Sequence, residues 1–98
     1  MIIRFVKLTI KSEFINSFQH LFEERNSKIA SFPGCVSVEL LHDIKDNRVF
    51  FTYSKWEKES DLNHYRNSDF FGETWSTVKP MFDAKPEAWS LLVVETKN

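Results

Sequence analysis

The chain has 98 residues, 42% hydrophobic and 28% charged, with a formal net charge of −1 from 13 basic and 14 acidic side chains. This length and balance are those of one domain, expected over residues 1–98, and exclude both a disordered tail and the basic footprint of a dedicated nucleic-acid binder. A single cysteine, Cys35, excludes an intramolecular disulfide and a thiolate-rich zinc site, and the charges inside the opening run Met1-Ile2-Ile3-Arg4-Phe5-Val6-Lys7 lead us to expect neither a signal peptide nor a membrane span there.

The segment Ile2–Ile10 is rich in β-branched and apolar residues and predicts a strand. Its even positions (Ile2, Arg4, Val6, Leu8, Ile10) and its odd ones (Ile3, Phe5, Lys7, Thr9) both carry apolar side chains, as in a sheet covered on both faces over part of its width. A helix is predicted over Ser12–Ala30. Ser12 is placed to cap it, and Phe14, Phe18, Leu21, Phe22, Arg25 and Ile29 form one stripe at helical spacing. Pro33-Gly34 stops this helix. From Cys35 to His42 the residues alternate, Val36, Val38 and Leu40 on one face and Ser37 and Glu39 on the other. A polar turn at Asp46-Asn47 leads into a strand over Arg48–Lys55, with Val49, Phe51 and Tyr53 opposite Phe50, Thr52 and Ser54, which makes a hairpin. A helical region over Glu57–Val78 divides where Asn67-Ser68-Asp69 offers a new cap. Pro80 and Pro86 bracket a loop, and Glu87–Glu95 predicts the last strand.

The order β-α-β-β-α-β is that of an α+β, ferredoxin-like fold, an antiparallel sheet with helices on one face. The other face is left bare, and apolar members such as Phe5 or Phe50 would need a cover. Ten Phe, three Trp and two Tyr give more apolar surface than so short a chain needs for its own core. The surplus has two ordinary destinations: a second copy packed sheet against sheet, giving a homodimer, or a pocket for an apolar ligand.

Three features now stand in order along the chain: Phe32-Pro33-Gly34-Cys35 after the first helix, Trp56 where the third strand meets the second helical region, and Tyr65-Arg66-Asn67-Ser68-Asp69-Phe70-Phe71. Together they resemble the antibiotic biosynthesis monooxygenase (ABM) domain family over nearly the whole chain. The resemblance implies a dimeric α+β barrel with a pocket between helices and sheet. It implies a small-molecule substrate, and for the family's best-known members cofactor-independent oxygenation of polycyclic aromatic compounds. Other members degrade haem, isomerise small signalling metabolites or act on quinols.

The haem-degrading branch carries an Asn on its first strand, a Trp in its second helix and an iron-binding His beyond it. Alignment on Ser68 and Phe71 puts Val6, Tyr65 and Trp75 at those positions, so the axial ligand is missing and haem degradation is disfavoured. Many other members carry a His one helical turn ahead of the Ser, where this chain has Tyr65. His64 sits roughly 100° around the helix from it, and the apolar Leu62 favours Tyr65 as the inward residue. A phenol with a pKa of about 10 is a donor at neutral pH and not a base, so Tyr65 would orient or polarise a substrate oxygen. Phe71 and Trp75 would form a flat aromatic wall, and Arg4, sharing strand parity with Val6, would reach an anionic or carbonyl group. Trp56 and Cys35 read as packing residues. The candidate set is therefore Tyr65 and Trp75 for catalysis and Arg4, Val6, Phe51, Phe71 and His64 for substrate binding. No metal site, no cofactor and no phosphate cradle is expected.

The expectation is a cytoplasmic homodimer oxidising or isomerising a small cyclic, phenolic or quinol-like metabolite, without nucleic-acid or membrane partners. The alternative is a non-catalytic dimer that binds a small apolar molecule.

Overall fold

The computed structural model describes residues 1–95; residues 96–98, the end of the expected domain, lie outside the described residues. Four strands, β1 (Ile2–Thr9), β2 (Cys35–His42), β3 (Val49–Trp56) and β4 (Glu87–Leu91), form one antiparallel sheet in the order β2-β3-β1-β4. Helix α1 (Ile15–Ala30) connects β1 to β2, and α2 (Glu59–Arg66) and α3 (Asp69–Val78) connect β3 to β4. This is the ferredoxin-like α+β arrangement predicted from the element order. Among the described residues no helix is long and apolar enough to cross a membrane.

Local chemistry explains most boundaries. Ser68 caps α3, its hydroxyl accepting from the Phe71 amide at 3.2 Å and donating to the Tyr65 carbonyl at 2.6 Å, so one side chain joins two helices. Gly34 takes φ 81°, the left-handed region, and its carbonyl accepts from the Glu57 amide at 2.8 Å, fixing the start of β2 against the end of β3. The loop ahead of β4 is tied to the end of β1 by Asp83 N–H donating to the Thr9 carbonyl at 2.8 Å.

Three expectations are corrected. Ser12 does not cap α1; it opens a short 3₁₀ turn (Ser12–Phe14), and α1 begins at Ile15 with no side-chain cap. A β-bulge between Cys35 and Ser37 leaves Val36 unpaired and 49% exposed, so it does not share a face with Val38 and Leu40. Strand β4 ends at Leu91 and not Glu95, because Leu91 already pairs with Ile3 and β1 itself begins at Ile2, leaving no ladder to continue.

The two faces of the sheet differ from the simplest reading of its pattern. Phe50 is core, 2% exposed, and contacts Phe18 of α1 at a centroid distance of 5.0 Å. The face without helices carries Phe5 stacked on Phe51 at 5.0 Å, with Tyr53 at 6.0 Å and Trp89 at 6.4 Å. Leu41 and Leu91 extend this apolar patch and remain exposed.

Candidate functional site

On the helix-facing side of the central strands, bulky side chains stand at both ends and small or polar ones in the middle. β1 presents Ile2, Arg4, Val6 and Leu8 there, and β3 runs back through Trp56, Ser54, Thr52 and Phe50, each paired with its counterpart. The core is therefore split. One cluster gathers Leu8, Ile10, Phe18, Phe50 and Val78, the other Ile29, Trp56 and Leu62. Between them, walled by Leu8, Phe18 and Val78 of the first and Ile29 and Leu62 of the second, lies a cavity of about 380 Å³. That volume falls at the small end of ligand sites, roughly 300–1,000 Å³.

One wall is a run of aromatic rings. Tyr65 stacks on the fully buried Trp56 at 5.1 Å and meets Phe71 edge-on at 5.2 Å. Phe71 in turn lies nearly parallel to Trp75, 5.9 Å between centroids and 9° between planes, because the two are one helical turn apart on α3. Tyr65, Phe71 and Trp75 all line the cavity. Burial, with a smaller contribution from the Cys35 thiol, pushes the Tyr65 phenol up to about 12. Its hydroxyl is thus a proton-bearing donor throughout the neutral range.

The polar lining comes from every layer: Arg4, Thr52 and Ser54 from the sheet, Arg25 from α1, Arg66 from α2 and Thr74 from α3. Arg25 donates to Thr74 Oγ1 at 2.7 Å and approaches Glu73 at 3.5 Å. Arg4 donates to Ser90 Oγ at 3.0 Å, while Ser54 Oγ is held by Trp56 Nε1 at 3.0 Å. Burial first, and the Arg66 charge second, lower the Arg4 pKa; the guanidinium nonetheless stays charged in water. The described lining holds no histidine, cysteine or carboxylate, so it offers a metal no ligand set and a substrate no ordinary base.

The sequence pattern of the antibiotic biosynthesis monooxygenase family matches residues 1–75, which include β1, the Phe32-Pro33-Gly34-Cys35 turn, Tyr65, Phe71 and Trp75. The chain belongs to the ABM family. Solved structures agree in fold. A crystal structure of an antibiotic biosynthesis monooxygenase superposes with a TM-score of 0.90 at 20% identity, covering 97% of this chain and 100% of that one. A conserved protein from Methanosarcina mazei Go1 gives 0.86 at 21% identity over 93% and 91% of the two chains. A proposed antibiotic biosynthesis monooxygenase from Nitrosomonas europaea gives 0.88 at 14% identity over 97% and 100%. A search among curated proteins finds no match.

Within this ABM fold, five of the predicted site residues line the cavity: Arg4, Val6, Tyr65, Phe71 and Trp75. Two do not. Phe51 lies on the opposite face of the sheet, stacked on Phe5, because Phe50 and Thr52 hold the helix-facing positions of β3. His64 is exposed on α2, its ring 6.4 Å from Phe32, since the helical turn that directs Tyr65 inward carries its neighbour outward. Sequence reasoning missed Arg25, Thr52, Ser54, Arg66 and Thr74. A signal existed for some of them: Arg25 interrupts an aromatic stripe, and Thr52 and Ser54 put hydroxyls between Phe50 and Trp56 on one strand face. Arg66, the last residue of α2, has no such periodic signature.

Proposed function

We propose that this single ABM-like domain is a cofactor-independent monooxygenase acting on a small aromatic or quinol-like metabolite, working as a cytoplasmic homodimer. The observation that carries the reading is the split core: a hollow between two clusters, walled by Tyr65, Phe71 and Trp75, in a member of a monooxygenase family. A flat substrate ring stacks on the Phe71–Trp75 plane, and Tyr65 and Arg4 donate to its oxygen.

Without a base in the described lining, the field of the arginines performs the activating step by favouring the ionised substrate, whose proton passes to water. For a methylene flanked by aromatic rings, the resulting carbanion forms a carbon–oxygen bond with O₂, giving a hydroperoxide after protonation. Loss of the remaining C–H proton breaks the O–O bond and expels hydroxide. The methylene becomes a carbonyl, one oxygen atom is retained, the other leaves as water, and the substrate supplies all the electrons. Burial in the cavity keeps the intermediate from hydrolysis.

Dimerisation rests on the uncovered face bearing Phe5, Phe51, Tyr53 and Trp89, an aromatic cluster that a second sheet would cover. The cytoplasmic placement rests on the lone, partly buried thiol of Cys35.

An oxygen electrode tests the reaction: with an anthrone or a naphthoquinol, uptake above the uncatalysed rate is expected, falling on Tyr65→Phe and on Trp75→Ala. A second reading, a binding protein without turnover, draws on a described lining that holds neither imidazole nor carboxylate. Tryptophan quenching by these compounds without oxygen uptake would establish it instead.

A further inference from the structure

We infer that Arg4 and Arg66 form an anion clamp in the cavity and that the cyclic compound accepted there carries a carboxylate on its ring. The inference rests on the small-molecule reading above and names the substrate class more narrowly. The chain has four arginines. Arg48 is engaged by Asp46 at 3.2 Å and Asp83 at 2.7 Å, and Arg25 by Glu73 at 3.5 Å. Arg4 and Arg66 both line the cavity, and no carboxylate of the described residues lies within ion-pair distance of either. The side-chain hydrogen bond of Arg4 goes to a neutral partner, the Ser90 hydroxyl.

The exposed Arg66 adds its charge to that of the half-buried Arg4, and together they give the cavity a positive potential that an anion would complement. The planar fork of a guanidinium matches a carboxylate in a two-point contact. Guanidinium forks also match phosphate, but the described lining adds neither a lysine nor the glycine-rich backbone amides of a phosphate cradle, which favours the carboxylate. The stacked Phe71 and Trp75 supply the surface for the ring. Charge and aromatic wall together select an aryl carboxylate over a neutral arene.

Calorimetric titration of the full chain with 1-hydroxy-2-naphthoate and with its neutral carboxamide tests this directly. The carboxylate is expected to bind about tenfold tighter or more, a margin typical of charge-assisted hydrogen bonds, and the margin should shrink as salt rises. Arg66→Gln, at an exposed helix end, should erase the preference by weakening the carboxylate far more than the carboxamide. Arg4→Gln should act alike, and Arg4→Lys should keep part of the margin. Equal affinities for the two probes in the natural protein would overturn the clamp and leave the small-molecule site standing. A preference that survives both glutamine variants would also overturn it. If the folded protein binds neither probe, the small-molecule reading falls, and the clamp with it.

Discussion

The indole of Trp56 lies stacked on the phenol of Tyr65, ring centroids 5.1 Å apart and planes inclined by 23°. Trp56 is fully buried at the end of β3, and its Nε1 is held by Ser54. The ring that enters the cavity is therefore set by one of the most enclosed residues of the sheet. Phe32 closes the other side of Tyr65, edge-on at 5.0 Å. Packing of this kind positions a donor with no hydrogen bond to its hydroxyl among the described residues, and it leaves that hydroxyl for a ligand.

The same enclosure has a pH signature. Tyr65 is pushed up to about 12 in the folded chain, against about 10 when unfolded. Its neutral form is favoured by the fold, so the contribution is complete below pH ~10 and is lost as pH rises through ~12. A two-unit shift corresponds to about 2–3 kcal/mol over that window. Denaturant unfolding measured across the alkaline range should show this falling limb. Tyr65→Phe should flatten it; a limb of unchanged slope in that variant would assign the effect elsewhere.

Gly34 should tolerate no side chain. Its φ of 81° disfavours L-residues, and an added Cβ would overlap the carboxyl group and Cβ of Asp61. Gly34→Ala is expected to cost about 2–4 kcal/mol, from the left-handed backbone and the overlap combined. Gly34→Ala with Asp61→Ala should recover only part of this, since the backbone strain and the overlap with the Cβ at position 61 both remain. Urea titration of the single and double variants gives both figures.

Ser68 joins the end of α2 to the start of α3, and thereby Tyr65 to Phe71. Ser68→Ala is expected to lose about 1 kcal/mol, the usual value of an N-cap, and Ser68→Thr to lose less. If the aromatic wall binds a ring, ligand affinity should follow the same order. Thermal unfolding and a titration on the same samples check the two effects together.

The uncovered sheet face predicts self-association. Trp89 is 42% exposed and 6.4 Å from Phe5, so Trp89→Glu should leave the monomer folded while placing a charge within the proposed interface. Sedimentation should give a dimer for the natural chain and a monomer for the variant. A monomeric natural chain at micromolar concentration would remove the argument for pairing.

Local pattern was enough to recover the element order, the stop at Pro33-Gly34 and a new cap within Asn67-Ser68-Asp69, because each depends on a few neighbouring residues. It also recovered the stacked Phe71 and Trp75, whose relation is set within one turn of one helix. The placement of Phe51 was not recoverable in this way. A period of two separates the faces of a strand, but it cannot say which is inside when both are apolar. Here the usual rule is inverted at mid-strand: the helix-facing side holds Thr52 and Ser54, and the open side holds Phe51 and Tyr53.

Composition and periodicity by themselves thus determined a ferredoxin-like chain with a surplus of aromatic rings and a tyrosine turned inward beside Leu62. The tertiary structure alone decided that the surplus divides between a ringed cavity and a bare sheet face, and that Arg4, from the first strand, shares a hollow with Arg66, from the second helix. Those two residues lie far apart along the chain, and a cavity exists only where separate elements fail to fill the space between them. No local signal carries that information.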